Sequence, residues 1–157
     1  MGSEMCIRDR PWTPREANRD WASIASSADG TKAVAVAYNG KIYTSTDSGM
    51  NWIPRESDRQ WRSVASSADG TKLAAAAELG QIYTSVDSGV TWIPRETDRN
   101  WFSVASSADG TKLVAVVLFG QIYTSVDSGL TWTPRETNRG WYSVASSADG
   151  TKLVAIV

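Results

Sequence analysis

Histidine is missing from this 157-residue chain, and with it the commonest general base and the commonest metal ligand. The single cysteine, Cys6, excludes an internal disulfide and leaves the redox compartment open. The longest apolar run, Leu113 to Phe119, is far shorter than the ~20 residues that cross a bilayer as a helix. No stretch reads as a secretory apolar segment followed by a cleavage site. Sixteen basic and seventeen acidic side chains leave a net charge of −1, so no global field attracts nucleic acid or an anionic membrane.

What is present is repetition. Trp21, Trp61, Trp101 and Trp141 recur every 40 residues, as do Trp12, Trp52, Trp92 and Trp132. The stretch from Ser63 to Leu73 returns unchanged at Ser103 to Leu113 and at Ser143 to Leu153, as expected of a recently amplified unit. Within residues 61–100, turn signals mark off four short segments, A to D: Trp61 to Ser67, Lys72 to Glu78, Gln81 to Val86 and Thr91 to Glu96. Each connection holds a glycine, Gly70, Gly80 or Gly89, where a tight hairpin calls for a positive φ. No segment has room for a helix.

The contents of the segments order them in a sheet. Segment B, Lys112 to Val117 in the third copy, is almost continuously apolar and is expected at the centre, covered on both faces. Segment D carries Pro54, Pro94 and Pro134 and belongs at the outer edge, where a missing N–H is tolerated. Segment A, rich in Ser and Ala, suits a crowded axis. Such four-stranded units must stack to bury their second face, so the fold class is all-β, an incomplete β-propeller of antiparallel blades. Closing such a ring takes roughly 160 to 320 residues at this period.

In register, residues 11–20 are the last strand of a preceding blade. Residues 21–60, 61–100 and 101–140 are complete blades, and 141–157 are the first two strands of another. Residues 1–10 match no copy and resemble the translated adapter tails of assembled gene fragments; a disordered native tail is the alternative. The reading therefore expects the remaining blades in a larger parent chain.

Between C and D each copy carries Ser-x-Asp-x-Gly-x-Thr-Trp. The instances are Ser85, Asp87, Gly89, Thr91 and Trp92; then Ser125, Asp127, Gly129, Thr131 and Trp132; and Ser45, Asp47, Gly49 and Trp52 with Asn51 at the threonine position. This resembles the Asp-box, or bacterial neuraminidase repeat, of sialidase-like propellers. The carboxylate is read as a fastener for its own turn, with the Trp as a lid; no cluster of oxygen ligands accompanies it, so no metal and no cofactor is expected. The run Val64 to Lys72, followed by Gln81 to Ser85, is similar to bacterial repeats grouped with the photosystem II stability and assembly factor, which implies a non-enzymatic propeller. The resemblance also tilts the compartment toward secreted, periplasmic or cell-surface.

A sialidase site needs an arginine triad, a Tyr–Glu pair and an Asp from different blades. Here Arg15, Arg55, Arg95 and Arg135 fill one repeated slot, Arg19, Arg59, Arg99 and Arg139 another, and Tyr43, Tyr83 and Tyr123 a third. Rings of equivalent residues lack that asymmetry, so no catalytic residue is assigned. The Pro-Arg-Glu-x-x-Arg run is expected to form surface ion pairs and to stack Arg on the neighbouring Trp61, with an anion-binding ring as the alternative. Glu78 has no repeated counterpart and no visible partner carboxylate for glycoside hydrolysis, and is expected to be solvated in its turn.

In an up-and-down blade the A–B and C–D turns share one end, the B–C turn and D–A link the other. Copies differ chiefly at the latter end, and Ala22, Arg62, Phe102 and Tyr142 vary just inside A. The candidate ligand-facing residues are Tyr38, Asn39, Glu78, Leu79, Leu118, Phe119, Arg59, Arg99 and Arg139. The function expected is a non-catalytic module binding a protein or a glycan there; the alternative is a piece of an exo-glycosidase whose catalytic blades lie elsewhere.

Overall fold

A computed structural model describes residues 14–157. The leader expected at 1–10 and the first residues of the strand expected over 11–20 lie outside the described residues, and residues 14–20 form no strand. The described chain is all-β, and every strand pair is antiparallel.

Strand β1 (Trp21–Ser26) is segment A of the first copy. It pairs with the first half of β2 (Ala33–Ser45), from Trp21 against Ala37 to Ser26 against Ala33. The second half of β2 pairs with the start of β3 (Ile53–Ser66), Tyr43 against Pro54. Segments B and C thus share one element that reverses at Asn39, where φ is 54°. In the second copy they separate into β4 (Leu73–Ala77) and β5 (Gly80–Ser85), paired from Leu73 against Ser85 to Ala76 against Ile82. Then come β6 (Ile93–Arg99), β7 (Trp101–Ser106), β8 (Leu113–Ser125), β9 (Thr133–Gly140), β10 (Ser143–Ser146) and β11 (Leu153–Ile156). The order within each copy is A-B-C-D. All five residues of β4 are buried, as a central strand requires, and the prolines lie on the strand paired on one side only.

One feature differs from the expected succession of separate blades. Strand β3 is continuous from segment D of the first copy into segment A of the second, which joins β1 to β6 into one six-stranded sheet. The polypeptide crosses from the outer edge of one blade to the inner edge of the next without losing extended geometry. A bulge absorbs the change of direction: Glu56, Glu96 and Glu136 have φ of 51°, 59° and 51°.

Blades stack through apolar side chains. Val34, Val36 and Ile42 of the first copy meet Trp61, Val64, Leu73 and Tyr83 of the second, and Ala74, Ala76 and Ile82 meet Trp101, Val104, Leu113 and Tyr123 of the third. The value of a neighbour is visible at one repeated position: Val64 and Val104 are 5% exposed, whereas Ile24 is 67% exposed. Full burial of such a side chain contributes about 1.5–3 kcal/mol, so stacking is the main source of stability. Segment A runs innermost. The N–H groups of Val64, Val104 and Val144 donate to the hydroxyls of Ser23, Ser63 and Ser103 in the A strand one blade earlier. A small polar residue is what such close approach permits, and it satisfies an otherwise orphaned donor.

Candidate binding surface

The two ends are fixed by backbone hydrogen bonds. At one, the N–H of Ser48, Ser88 and Ser128 in the C–D turns donates to the carbonyl of Thr31, Thr71 and Thr111 in the A–B turns. At the other, the N–H of Tyr38, Glu78 and Leu118 in the B–C turns donates to the carbonyl of Asp20, Gln60 and Asn100 in the D–A links.

The first end is closed chemically. Asp87 accepts from Ser85 Oγ at 2.8 Å, from the N–H of Thr91 at 2.9 Å and from its hydroxyl at 2.6 Å, and Trp92 Nε1 donates to the carbonyl of Gly89 at 3.1 Å. Asp127 and Trp132 repeat the arrangement, and Asp47 repeats its carboxylate contacts with Asn51 replacing the threonine. Two residues per turn have a positive φ, Ser88 at 59° and Gly89 at 81°, rather than the glycine alone. A second carboxylate clasp, not anticipated from the sequence, closes each A–B turn: Asp69 accepts from Ser67 Oγ at 2.6 Å and from the N–H of Thr71 at 3.0 Å. Asp29, Asp109 and Asp149 repeat it. The signal was there as Ser-x-Asp-x-Thr. Hydrogen bonds from Ser and Thr side chains and the turn N–H, with the N–H and side chain of Asn51 leading at Asp47, hold all seven carboxyls well below their ordinary value near 3.8, to about 2 for Asp29, Asp47, Asp87, Asp127 and Asp149. These groups are committed to the fold.

Lateral contacts complete that end. The N–H of Ala28, Ala68 and Ala108 donates to the carbonyl of Ala68, Ala108 and Ala148 in the next copy, each at 2.7 Å. Lys72 Nζ and Lys112 Nζ donate to the carbonyls of Asp109 and Asp149.

The opposite end gathers the unrepeated side chains. Arg62, from β3, lies between the rings of Tyr38 and Phe102, 4.4 Å and 5.0 Å from their centroids, and so spans three blades. Its Nε donates to Glu78 Oε2 at 2.7 Å, its Nη2 approaches the same oxygen at 2.5 Å, and Tyr38 Oη donates there at 3.1 Å. Glu78 is therefore paired and partly buried, not solvated as its turn position suggested. Burial pushes the Tyr38 hydroxyl up from its ordinary value, and the neighbouring carboxylate of Glu78 adds to the rise. Phe102 in turn meets Tyr142 edge to face at 5.6 Å. Positions 62, 102 and 142 vary between the copies; only the fold shows that Arg62 meets the B–C residues Tyr38 and Glu78 and that Phe102 joins Arg62 to Tyr142.

The repeated arginines are placed differently from expectation. Arg19, Arg59 and Arg99 lie over Tyr43, Tyr83 and Tyr123 at 4.7–4.9 Å, not over the adjacent Trp, whose ring instead meets the same Tyr edge-on. Arg139 alone lies over its neighbouring Trp141, at 5.8 Å. Among the described residues the Pro-Arg-Glu-x-x-Arg run forms ion pairs between Glu16 and Arg19 and between Glu96 and Arg99, three residues apart, and from Asp58 to Lys41. Arg55 Nε donates to Thr44 Oγ1.

The tips of the B–C turns are exposed, and their backbone is unusual. The positive φ falls on Asn39, Leu79 and Phe119, at 54°, 52° and 58°, and not on the glycine that follows. Gly80 is needed for space: a Cβ there would come 3.2 Å from Ala77 Cβ. Asn tolerates the left-handed region; Leu and Phe pay on the order of 1 kcal/mol or more to occupy it. Leu79 is 70% and Phe119 72% exposed, so little packing offsets that cost.

No protein-family model matches the chain, and no curated protein matches it in sequence. Solved structures do match in shape. YCF48 bound to a D1 peptide superposes with a TM-score of 0.69 at 21% identity, covering 88% of this chain and 48% of that one. Hydrazine synthase of Kuenenia stuttgartiensis gives 0.70 at 17% identity, covering 94% and 45%. The GH74 xyloglucanase from Xanthomonas campestris gives 0.62 at 19%, covering 84% and 22%. The chain thus spans less than half the length of each. These likenesses, with the stacked antiparallel blades, make the fold that of an incomplete β-propeller.

Proposed function

We propose that the chain is a non-catalytic binding module of the Asp-box propeller type, engaging its ligand through the B–C and D–A end. One observation carries the reading: Tyr38, Arg62, Glu78 and Phe102, none of them repeated, converge from three blades at that end. A guanidinium flanked by two rings and bridged by a carboxylate offers flat apolar faces beside fixed donors and acceptors, the mixture that recognition of a protein segment or a sugar requires. The solved complex of YCF48 with a D1 peptide supports a propeller of this shape as a peptide receptor. The turns of the other end are self-satisfied: their Ser, Asp and Gly residues repeat in every copy and are used within the turn, which suits scaffold.

The test is a paired screen of immobilised peptides and glycans with the native chain and with Arg62→Gln/Phe102→Ser. Binding that is lost in the double variant and retained in Thr111→Ser, at the Asp-turn end, supports the reading. Binding indifferent to Arg62 and Phe102 contradicts it.

The GH74 structures favour a second reading, a segment of a glycosidase whose reacting groups lie on other blades. In this segment Glu78 is engaged by Arg62 and Tyr38, an arrangement suited to positioning rather than to proton transfer. Release of reducing sugar from xyloglucan by a longer chain that carries further blades, with this segment alone inactive, would favour the enzyme.

A further inference from the structure

We propose that Leu79 and Phe119 are paired anchors for a partner protein, engaging an extended segment that carries apolar side chains and an acidic residue. The proposal rests on the binding reading above and names its partner. Asn39 occupies the equivalent tip of the first copy and has the side chain suited to a left-handed residue next to water. In the second and third copies that position holds Leu and Phe in the same strained conformation and at 70% and 72% exposure. The choice costs the fold backbone strain, and side chains this exposed gain little from burial to offset it. Strain kept at an exposed tip is accounted for by a contact made outside the chain.

Three observations select a protein. Leu79 is a branched aliphatic chain without the flat face on which a sugar ring stacks, so a glycan would use one tip and leave the other in water. Asp58, ion-paired with Lys41 at 3.3 Å, and Asp98 interrupt the basic side chains beside the tips, so a single carboxylate is matched there better than an anionic lipid surface. Arg59, paired in register with Gly40 at the neighbouring tip, lies over Tyr83 with no carboxylate within ion-pair distance among the described residues. A carboxylate on the partner complements it.

The experiment measures fluorescence anisotropy of an end-blocked, labelled decapeptide of leucine, glycine and aspartate. Its serine-for-leucine counterpart is the control, with cello-oligosaccharide and phosphatidylglycerol vesicles as competitors. The leucine peptide is expected to bind and the serine peptide not. Leu79→Asn/Phe119→Asn, which copies the native Asn39 tip, is expected to weaken binding by about tenfold or more while its thermal midpoint holds or rises. Equal binding by the native and double-variant chains, or no binding of the leucine peptide, overturns the proposal. Oligosaccharide or vesicle binding lost in the double variant, with the peptide ignored, overturns the partner while leaving the surface in place. Peptide binding lost only in Thr111→Ser, at the far end, overturns the surface as well.

Discussion

The two ends of the blades are built from the same repeat and have gone different ways. At the A–B and C–D end every copy closes its own turn with an aspartate and then grips the next copy through backbone bonds from Ala28, Ala68 and Ala108. A change there breaks a turn and a blade junction together. At the B–C and D–A end the backbone bonds are equally regular, but the side chains above them are free to differ. There Asn39 in the first copy is replaced by Leu79 and Phe119 in the next two, and Tyr38 by Glu78 and Leu118. What holds the fold repeats; what does not need to hold it is available for recognition.

The sharpest contrast lies between two glycines. Gly110, at the first end, has φ 68°, and an added Cβ would stand 2.7 Å from Lys72 Cβ of the preceding blade. Gly80, at the second, lacks the positive φ, and its added Cβ meets Ala77 Cβ at 3.2 Å. Gly110→Ala is expected to cost about 2–3 kcal/mol and Gly80→Ala about 1 kcal/mol or less, measured by urea denaturation. Equal costs would erase the distinction between the ends.

Acid is the next lever. A carboxyl held below its unfolded value contributes stability that is complete above that value and is lost as pH falls through the folded one. The aspartates of the first end, held to about 2 in five of seven cases, therefore place the loss between about pH 4 and pH 2. Thermal midpoints are expected to be flat from neutral pH down to about 4 and to fall steeply below it. Asp87→Asn and Asp127→Asn are expected to lower the plateau by several degrees and flatten the fall.

The smallest effect is local. Gln keeps a hydrogen-bond acceptor for Arg62 and Tyr38, so Glu78→Gln is expected to cost only about 1 kcal/mol in this half-buried pair. It removes one of the two causes that raise the Tyr38 hydroxyl, whose titration, followed by ultraviolet difference absorbance, is expected to move down toward the ordinary tyrosine range. An unmoved titration would mean that Glu78 does not face Tyr38 in solution.

Much of this architecture was legible in the sequence because it is written in period and composition. Pro54 on an edge, Val114 and Val116 in a central strand and Ser63 near a crowded axis are consequences of backbone donors and side-chain volume that any copy displays. The aspartate clasp at Asp69 was also written out, but a glycine beside it explained the turn too easily. Contacts between copies were not legible. Arg59 sits two residues from Trp61, yet lies over Tyr83, because strand pairing brings a distant residue nearer than the chain does. Arg62 meeting Tyr38 and Phe102 follows from stacking of blades, for which one repeat holds no information. The strain at Leu79 was hidden because Leu-Gly reads as though the glycine took the left-handed conformation.

The thermal midpoint of Leu79→Asn/Phe119→Asn, measured without any partner, tests the division between the ends most directly. The account predicts a midpoint a few degrees above that of the native chain, because backbone strain is relieved at little cost in packing. A fall of similar size would show that the two tips hold the fold, and that this end, like the other, is scaffold.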